Sequence, residues 1–237
     1  MRNWAFLGAS HLQLKLMKQK KSSTKKSPAK TALSDVRIIG GALKRRTVSF
    51  IDADGLRPTP DRLRETLFNW LMSDIFDARV LDCFAGSGVL GFEALSRGAT
   101  HCTFIEANIK QSQQLQQSTQ KLHLNANQLN IIHGFAETVL TQPNPNAAFD
   151  IIFIDPPYAL NLWQPVLLAL VQNLWIDDNT LIYLESDQEL TPLLAPICEQ
   201  LNSKLNHENR FLQFEFDCQK QAKVGQVYAG LYRLKLA

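Results

Sequence analysis

Read for hydrophobic and polar positions, the chain changes character near Val36. The preceding "KQKKSSTKKSPAK" (residues 18–30) has no apolar periodicity to build a core, so disorder is expected there, and Met17 is a second candidate start. "VRIIGG" and "LKRRTVSF", separated by Gly40-Gly41, fit a short two-stranded unit. Pro60 near a helix start, with Leu63, Leu67, Phe68 and Leu71 at helical spacing, predicts a helix that Thr59 would cap.

Strand, turn and helix then repeat. Strands are expected at "RVLDCF" (79–84), "HCTFIE" (101–106), "NIIHGF" (130–135), "FDIIFID" (149–155) and "TLIYLE" (180–185). Helices are expected through "VLGFEALSRG", from Asn108 to Leu124, and through "LWQPVLLALVQNLW" with Pro165 in its first turn. The near-continuous apolar run 149–155 marks a central strand covered on both faces. "RFLQFEFD" and "QVYAGLYRLKL" alternate as a pair of antiparallel strands. The pattern is that of an α/β, doubly wound sheet made mixed by its antiparallel end. Residues 1–34 read as a basic extension, 35–75 as an N-terminal hairpin and helix, and 76–237 as the core.

Charge sharpens that division. Residues 1–34 carry eight Lys or Arg and no acid, and 35–64 carry seven basic residues against four acids. From residue 65 onward 10 basic residues face 18 acids, so a basic N-terminal part adjoins an acidic body, as for a protein that meets a polyanion. Cys83, Cys102, Cys198 and Cys218 lack metal-ligand spacing, the five histidines are dispersed, and no metal site is expected. No apolar run approaches the roughly 20 residues that cross a bilayer, and polar Ser10, His11 and Gln13 with Lys15 interrupt the apolar opening; a cytoplasmic protein is expected, as a monomer by default.

Two turns carry chemistry. In "VLDCFAGSGVLGFEA", Asp82 precedes a turn containing Gly86 and Gly88, and Glu106 closes the next strand, where a carboxylate can accept from two ribose hydroxyls. Gly86, Gly88 and Gly91 satisfy the dinucleotide string G-x-G-x-x-G literally; Asp82 before the turn and the second motif argue against NAD, and the absent G-x-x-x-x-G-K-[ST] string argues against a P-loop. In "FDIIFIDPPYAL", Asp155 leaves a buried strand directly into Pro156-Pro157-Tyr158. The prolines make a stiff loop that presents carbonyls, so Asp155 and the Pro156 carbonyl can hold a base's NH2 while Tyr158 stacks on its ring. Two acceptors there favour a tetrahedral nitrogen whose lone pair faces a methyl donor.

"FAGSG" (Phe84–Gly88) followed by "DPPY" (Asp155–Tyr158) resembles class I methyltransferases acting on exocyclic amino groups. "RIIGG" (Arg37–Gly41), "LRPTPDRLRETLFNWL" (Leu56–Leu71) and "VLDCFAGSGVLGFEALSRGA" (Val80–Ala99) resemble, more narrowly, the bacterial 16S rRNA guanine-N2 methyltransferases that modify guanine 966. The resemblance spans about residues 35–237. It implies a seven-stranded class I sheet, S-adenosylmethionine as donor, and 16S rRNA in an assembled or assembling small subunit as acceptor. It assigns Asp82, Gly86 and Gly88 to the methionine side of the cofactor, Glu106 to its ribose, and Asp155, Pro156, Pro157 and Tyr158 to catalysis. Arg57, Thr59, Arg62 and Glu65 match a segment beside the cofactor or RNA entrance. Phe135 stands before Ala136 where a polar residue often meets adenine, so its ring is expected against the adenine face.

Lys44, Arg45 and Arg46, with Arg57, Arg62 and Arg64, are expected on RNA phosphates. The DPPY chemistry would serve DNA adenine-N6 equally, although no separate target-recognition domain fits in this length. A non-catalytic ribosome-assembly factor would not need Gly86, Gly88 and Asp155.

Overall fold

The computed structural model describes residues 32–52, 58–207 and 213–236. The expectations for residues 18–30, Met17 and Arg57 lie outside the described residues. Leu33–Arg37 (β1) and Thr47–Ile51 (β2) pair antiparallel, with Val36 opposite Val48. Lys44–Arg46 belong to the turn between them and not to a strand, because Arg46 N–H returns to the Leu43 carbonyl and Arg45 takes a left-handed φ of 72°.

Asp61–Trp70 (α1) follows, buried through Leu63, Leu67 and Phe68. Its cap position is Pro60, and Thr59 makes no capping bond. Next come Arg79–Asp82 (β3), Val89–Ser96 (α2), His101–Glu106 (β4), Ile109–Leu122 (α3), Leu129–His133 (β5), Ala136–Val139 (α4), Ile151–Ile154 (β6), Trp163–Gln172 (α5) and Leu181–Ser186 (β7). Leu190–His207 (α6), Phe214–Val224 (β8) and Val227–Leu236 (β9) complete the chain. The seven-stranded sheet runs β5-β4-β3-β6-β7-β9-β8. Its first five members are parallel, and β9 and β8 are antiparallel. All four β6 residues are buried, as a strand covered on both faces requires.

Alternate residues along the strands feed two cores. Val80, Phe104, Ile151, Phe153 and Tyr183 face the layer holding α1, α2, α3 and the β1–β2 sheet. Leu81, Ile105, Ile152, Ile154 and Leu184 face α4, α5 and α6. α2 lies so close to β4 that a Cβ on Gly91 would strike the Phe104 ring and approach Cys102 Sγ to 2.6 Å. The third glycine of the literal dinucleotide string therefore serves helix-to-sheet packing.

α6 was not among the expected elements, and Pro192 and Pro196 both fall within it. Leu190, Leu194, Ile197 and Leu201 nevertheless lie at helical spacing and bury against the sheet. β8 likewise extends past Asp217 through a polar run to Val224, held by its ladder to β9.

Candidate active site

Strand register gathers the acids. Asp82 lies opposite Phe104 on β4 and Phe153 on β6, and Phe153 lies opposite Tyr183 on β7. Two residues further along each of those strands, on the same face, come Glu106, Asp155 and Glu185. Four carboxyl groups thus line the carboxyl edge of four adjacent strands. Burial, reinforced by the neighbouring charge of Asp155, pushes Asp82 up to about 7, while N–H groups of Gly91 and Phe84 oppose the shift.

The turn after β3 is built around Glu106. Gly86 N–H donates to Glu106 Oε2 at 2.9 Å, Asn108 N–H donates to Oε1 at 2.7 Å, and Gln111 Nε2 donates to the Gly86 carbonyl at 2.6 Å. Gly88 has φ 73°, and a Cβ there would lie 2.5 Å from Leu115 and 2.8 Å from Phe92, so neither its backbone nor its surroundings accept another residue. Each Glu106 oxygen keeps a second lone pair, which suits a pair of ribose hydroxyls. Burial raises the Glu106 carboxyl, and the two backbone donors pull it back. Gly134 N–H donates to the Glu106 carbonyl at 3.0 Å, which brings the end of β5 alongside. Phe135 there is 61% exposed, an apolar surface beside the end of β4, whereas Ala136 is buried. These residues fit a nucleoside cofactor.

Asp155 follows β6 on the strand next to β3. Pro156 is buried and Pro157 exposed. Burial pushes Asp155 up to about 7, against a hydrogen bond from the Tyr158 hydroxyl. The Tyr158 ring is half-buried and stacks on Trp163, with centroids 5.8 Å apart. Tyr158 therefore orients the carboxylate with its hydroxyl as well as offering a ring face, a role its position in the motif did not disclose.

The expected RNA contacts separate into distinct environments. Arg64 is fully buried: its guanidinium pairs with Asp61, lies 3.5 Å from Glu93 Oε2, and donates to the carbonyls of Thr59 at 3.1 Å and Arg37 at 3.0 Å. It is a core residue, not a phosphate contact, because no solvent-borne anion reaches it. Arg46 donates to the Lys121 and Leu122 carbonyls, capping the C-terminus of α3. Lys44 and Arg45 are exposed in that same turn, at the amino end of the parallel strands. The 14 residues of α3 separate this end from Glu106 by about 20 Å, so these cations do not border the acidic cleft. Arg62 is exposed on the first turn of α1, at the cleft end, as is Glu65 one turn on.

Sequence reasoning placed Thr59 beside the cofactor or RNA entrance but missed Trp163, Glu185 and the link of Thr59 to them. Thr59 is buried with its hydroxyl on the Glu185 carboxyl, and Trp163 Nε1 donates to the Glu185 carbonyl at 3.0 Å. An acid closing "LIYLE" repeats the pattern of Asp82, Glu106 and Asp155 at strand ends, which was the available signal.

Comparison with known proteins identifies the family. The family described as Conserved hypothetical protein 95 matches residues 36–213. Ribosomal RNA small subunit methyltransferase D of Haemophilus influenzae is 42% identical over 172 residues, covering 73% of this chain and 89% of the relative. Its namesake in Escherichia coli K12 is 43% identical over 164 residues, covering 69% and 81%. The solved structure of the Escherichia coli protein yhhF superposes with a TM-score of 0.67 at 35% identity, covering 84% of this chain and 98% of that one. The chain belongs to the Conserved hypothetical protein 95 family and is a methyltransferase of the class I fold.

Proposed function

We propose that this chain transfers the methyl group of S-adenosylmethionine to the exocyclic N2 of guanine 966 in 16S rRNA, acting on the assembled or assembling small ribosomal subunit in the cytoplasm. One observation carries the reading: Asp155, leading into its stiff Pro-Pro-Tyr loop, shares one sheet edge with the Gly86–Gly88 turn and lies within electrostatic reach of Asp82. The names borne by the relatives at 42% and 43% identity support a ribosomal acceptor over DNA adenine.

In this reading Glu106 holds the cofactor ribose, and Phe135 with buried Ala136 flanks its adenine. Asp82, Gly86 and Gly88 lie on the methionine side. S-adenosylmethionine, when bound, supplies an electrophilic methyl group. Asp155 and the Pro156 carbonyl accept the two N–H groups of the guanine amine, drawing its lone pair out of conjugation and toward the donor. The Tyr158 hydroxyl holds Asp155 in place, and the Pro156-Pro157 backbone prevents the loop from following the base. Asp155, with a pKa of about 7, is matched to the proton that the amine must release near neutrality. Arg62 stands where it can meet phosphates flanking a flipped guanine.

Labelled-methyl transfer to immature small subunits, free 16S rRNA and DNA tests this, with the wild-type protein and D155A. Transfer should appear on the ribosomal substrate as N2-methylguanine at position 966 and be lost in D155A. Label on DNA adenine, or normal transfer by D155A, would overturn it.

A further inference from the structure

We propose that Glu185 is a positioning residue for methyl transfer: its side chain docks Thr59 and its main chain docks Trp163, fixing the segment that enters α1 and the loop of Asp155 to one point at the head of β7. This rests on the methyl-transfer reading above.

Glu185 closes a row of neighbours on adjacent strands, since Ile154 pairs with Leu184 in parallel register and Asp155 and Glu185 come next on the same face. Adjacent strands lie about 4.8 Å apart, so the two carboxyl groups occupy one site. Glu185 is 1% exposed and so does not face substrate itself. Its Oε1 accepts from the Tyr183 hydroxyl at 2.9 Å, and its carboxyl accepts from the Thr59 hydroxyl. Buried Arg64 then holds Thr59 from its other side, Nε donating to the carbonyl at 3.1 Å. On the main-chain side, the Glu185 carbonyl accepts from Trp163 Nε1 at 3.0 Å. Trp163 stacks beneath Tyr158, whose hydroxyl donates to Asp155.

A buried acid at this place needs a reason, because two carboxyl groups in one site cannot both ionise cheaply. The groups facing Glu185 are Asp155 from β6, Asp82 from β3, Tyr183 from its own strand and Thr59 from the segment before α1; the charge of Glu185 also reaches Tyr158. Burial and the charge of Asp155 hold the Glu185 carboxyl well above the usual carboxylate range. Of the two, Asp155 alone is left half-buried at the cleft, so it is the carboxyl group placed to meet the amine. A buried acceptor that anchors two hydroxyls positions the site without itself meeting the substrate.

The test compares wild type, E185L, E185Q, T59V and Y183F on the small-subunit substrate, with kcat, cofactor Kd by calorimetry and Tm measured for each. A misplacement of about 1 Å at a reacting centre costs about a hundredfold, so E185L should lower kcat by that order while cofactor Kd stays within about twofold. E185Q, which keeps an acceptor oxygen, should recover about tenfold of that loss, and T59V should lower kcat by about tenfold. T59V added to E185L should cost nothing further, because both remove the same contact. E185L within about threefold of wild type, or losses that multiply in the double variant, would overturn the role. Should E185L not fold, a common loss of kcat in T59V and Y183F at unchanged Tm supports it, and wild-type kcat in both overturns it. A wild-type protein without transfer would remove the parent reading and this inference together, whereas an active wild type with an unaffected E185L removes only the role of Glu185.

Discussion

Gly86 N–H donates to Glu106 Oε2 across 2.9 Å, so the residue offered to the ribose is also the strut of the glycine turn. Removing it should cost twice: the ribose hydroxyls lose an acceptor and the Gly86 amide loses its partner. Hydrogen bonds to a charged group contribute about 1.5–3 kcal/mol, so E106A should raise the cofactor Kd by roughly 10–100-fold. Calorimetric titration checks this, and an unchanged Kd would detach Glu106 from the cofactor.

Asp82 and Asp155 are both held at about 7, against 3.8 for an ordinary aspartate, with burial as the main cause. Asp155 must be a carboxylate to accept the amine, so kcat/KM should rise about tenfold per pH unit below 7 and level off above it. Stability moves the other way. A carboxyl that binds its proton more tightly folded than unfolded contributes fully below about 3.8, and that contribution is lost as pH rises through about 7. The cofactor-free protein should therefore melt on the order of 5 °C lower at pH 8 than at pH 5.5. D82N should flatten that slope; an equal slope in D82N would place its origin elsewhere.

Arg64 and Glu93 are both fully buried, and Glu93 also pairs with Arg97 Nε at 2.8 Å and accepts from Ile39 N–H at 2.8 Å. The network joins α1, α2 and the β1–β2 connection. R64A leaves the buried Glu93 with Arg97 as its one cation and should destabilise the fold by about 3 kcal/mol in urea unfolding. R64M combined with E93M should cost less than the sum of the two single changes, because neither charge is then left unpaired.

Arg64 also shows where sequence reading stops. An arginine among basic neighbours, with Asp61 one turn before it, reads as surface charge, and its buried partner Glu93 lies 29 positions away. The available signal was Glu93 itself: in "VLGFEALS" every residue is buried, and a carboxylate in such a helix requires a cation brought by tertiary packing. The Gly86–Gly88 turn and the Asp155 loop were legible because each is a local device, a strand end followed by residues of restricted backbone. Glu185 and its tie to Thr59 were not, because their meaning depends on β6 and β7 lying side by side and on the chain before α1 reaching them. α6 was not foreseen: two prolines fall within its range, and its apolar spacing gains meaning only against the sheet that buries it.

The basic turn after Gly41 makes one more prediction, sharpened by where it lies. Lys44 and Arg45 are exposed about 20 Å from the cleft, whereas Arg46 is spent on the end of α3. If Lys44 and Arg45 meet rRNA, they meet phosphates remote from the target base. K44A with R45A should then weaken rRNA binding more at low salt than at high, and reduce the slope of log K against log salt by about one to two. kcat at saturating substrate should be unchanged, since neither side chain approaches Asp155. R46A should instead lower Tm, because the last α3 carbonyls lose their donor. R62A, at the cleft end, should combine a reduced salt slope with a fall in kcat. A salt slope untouched in K44A with R45A, measured by filter binding across a salt series, would confine the rRNA footprint to the cleft end of the molecule.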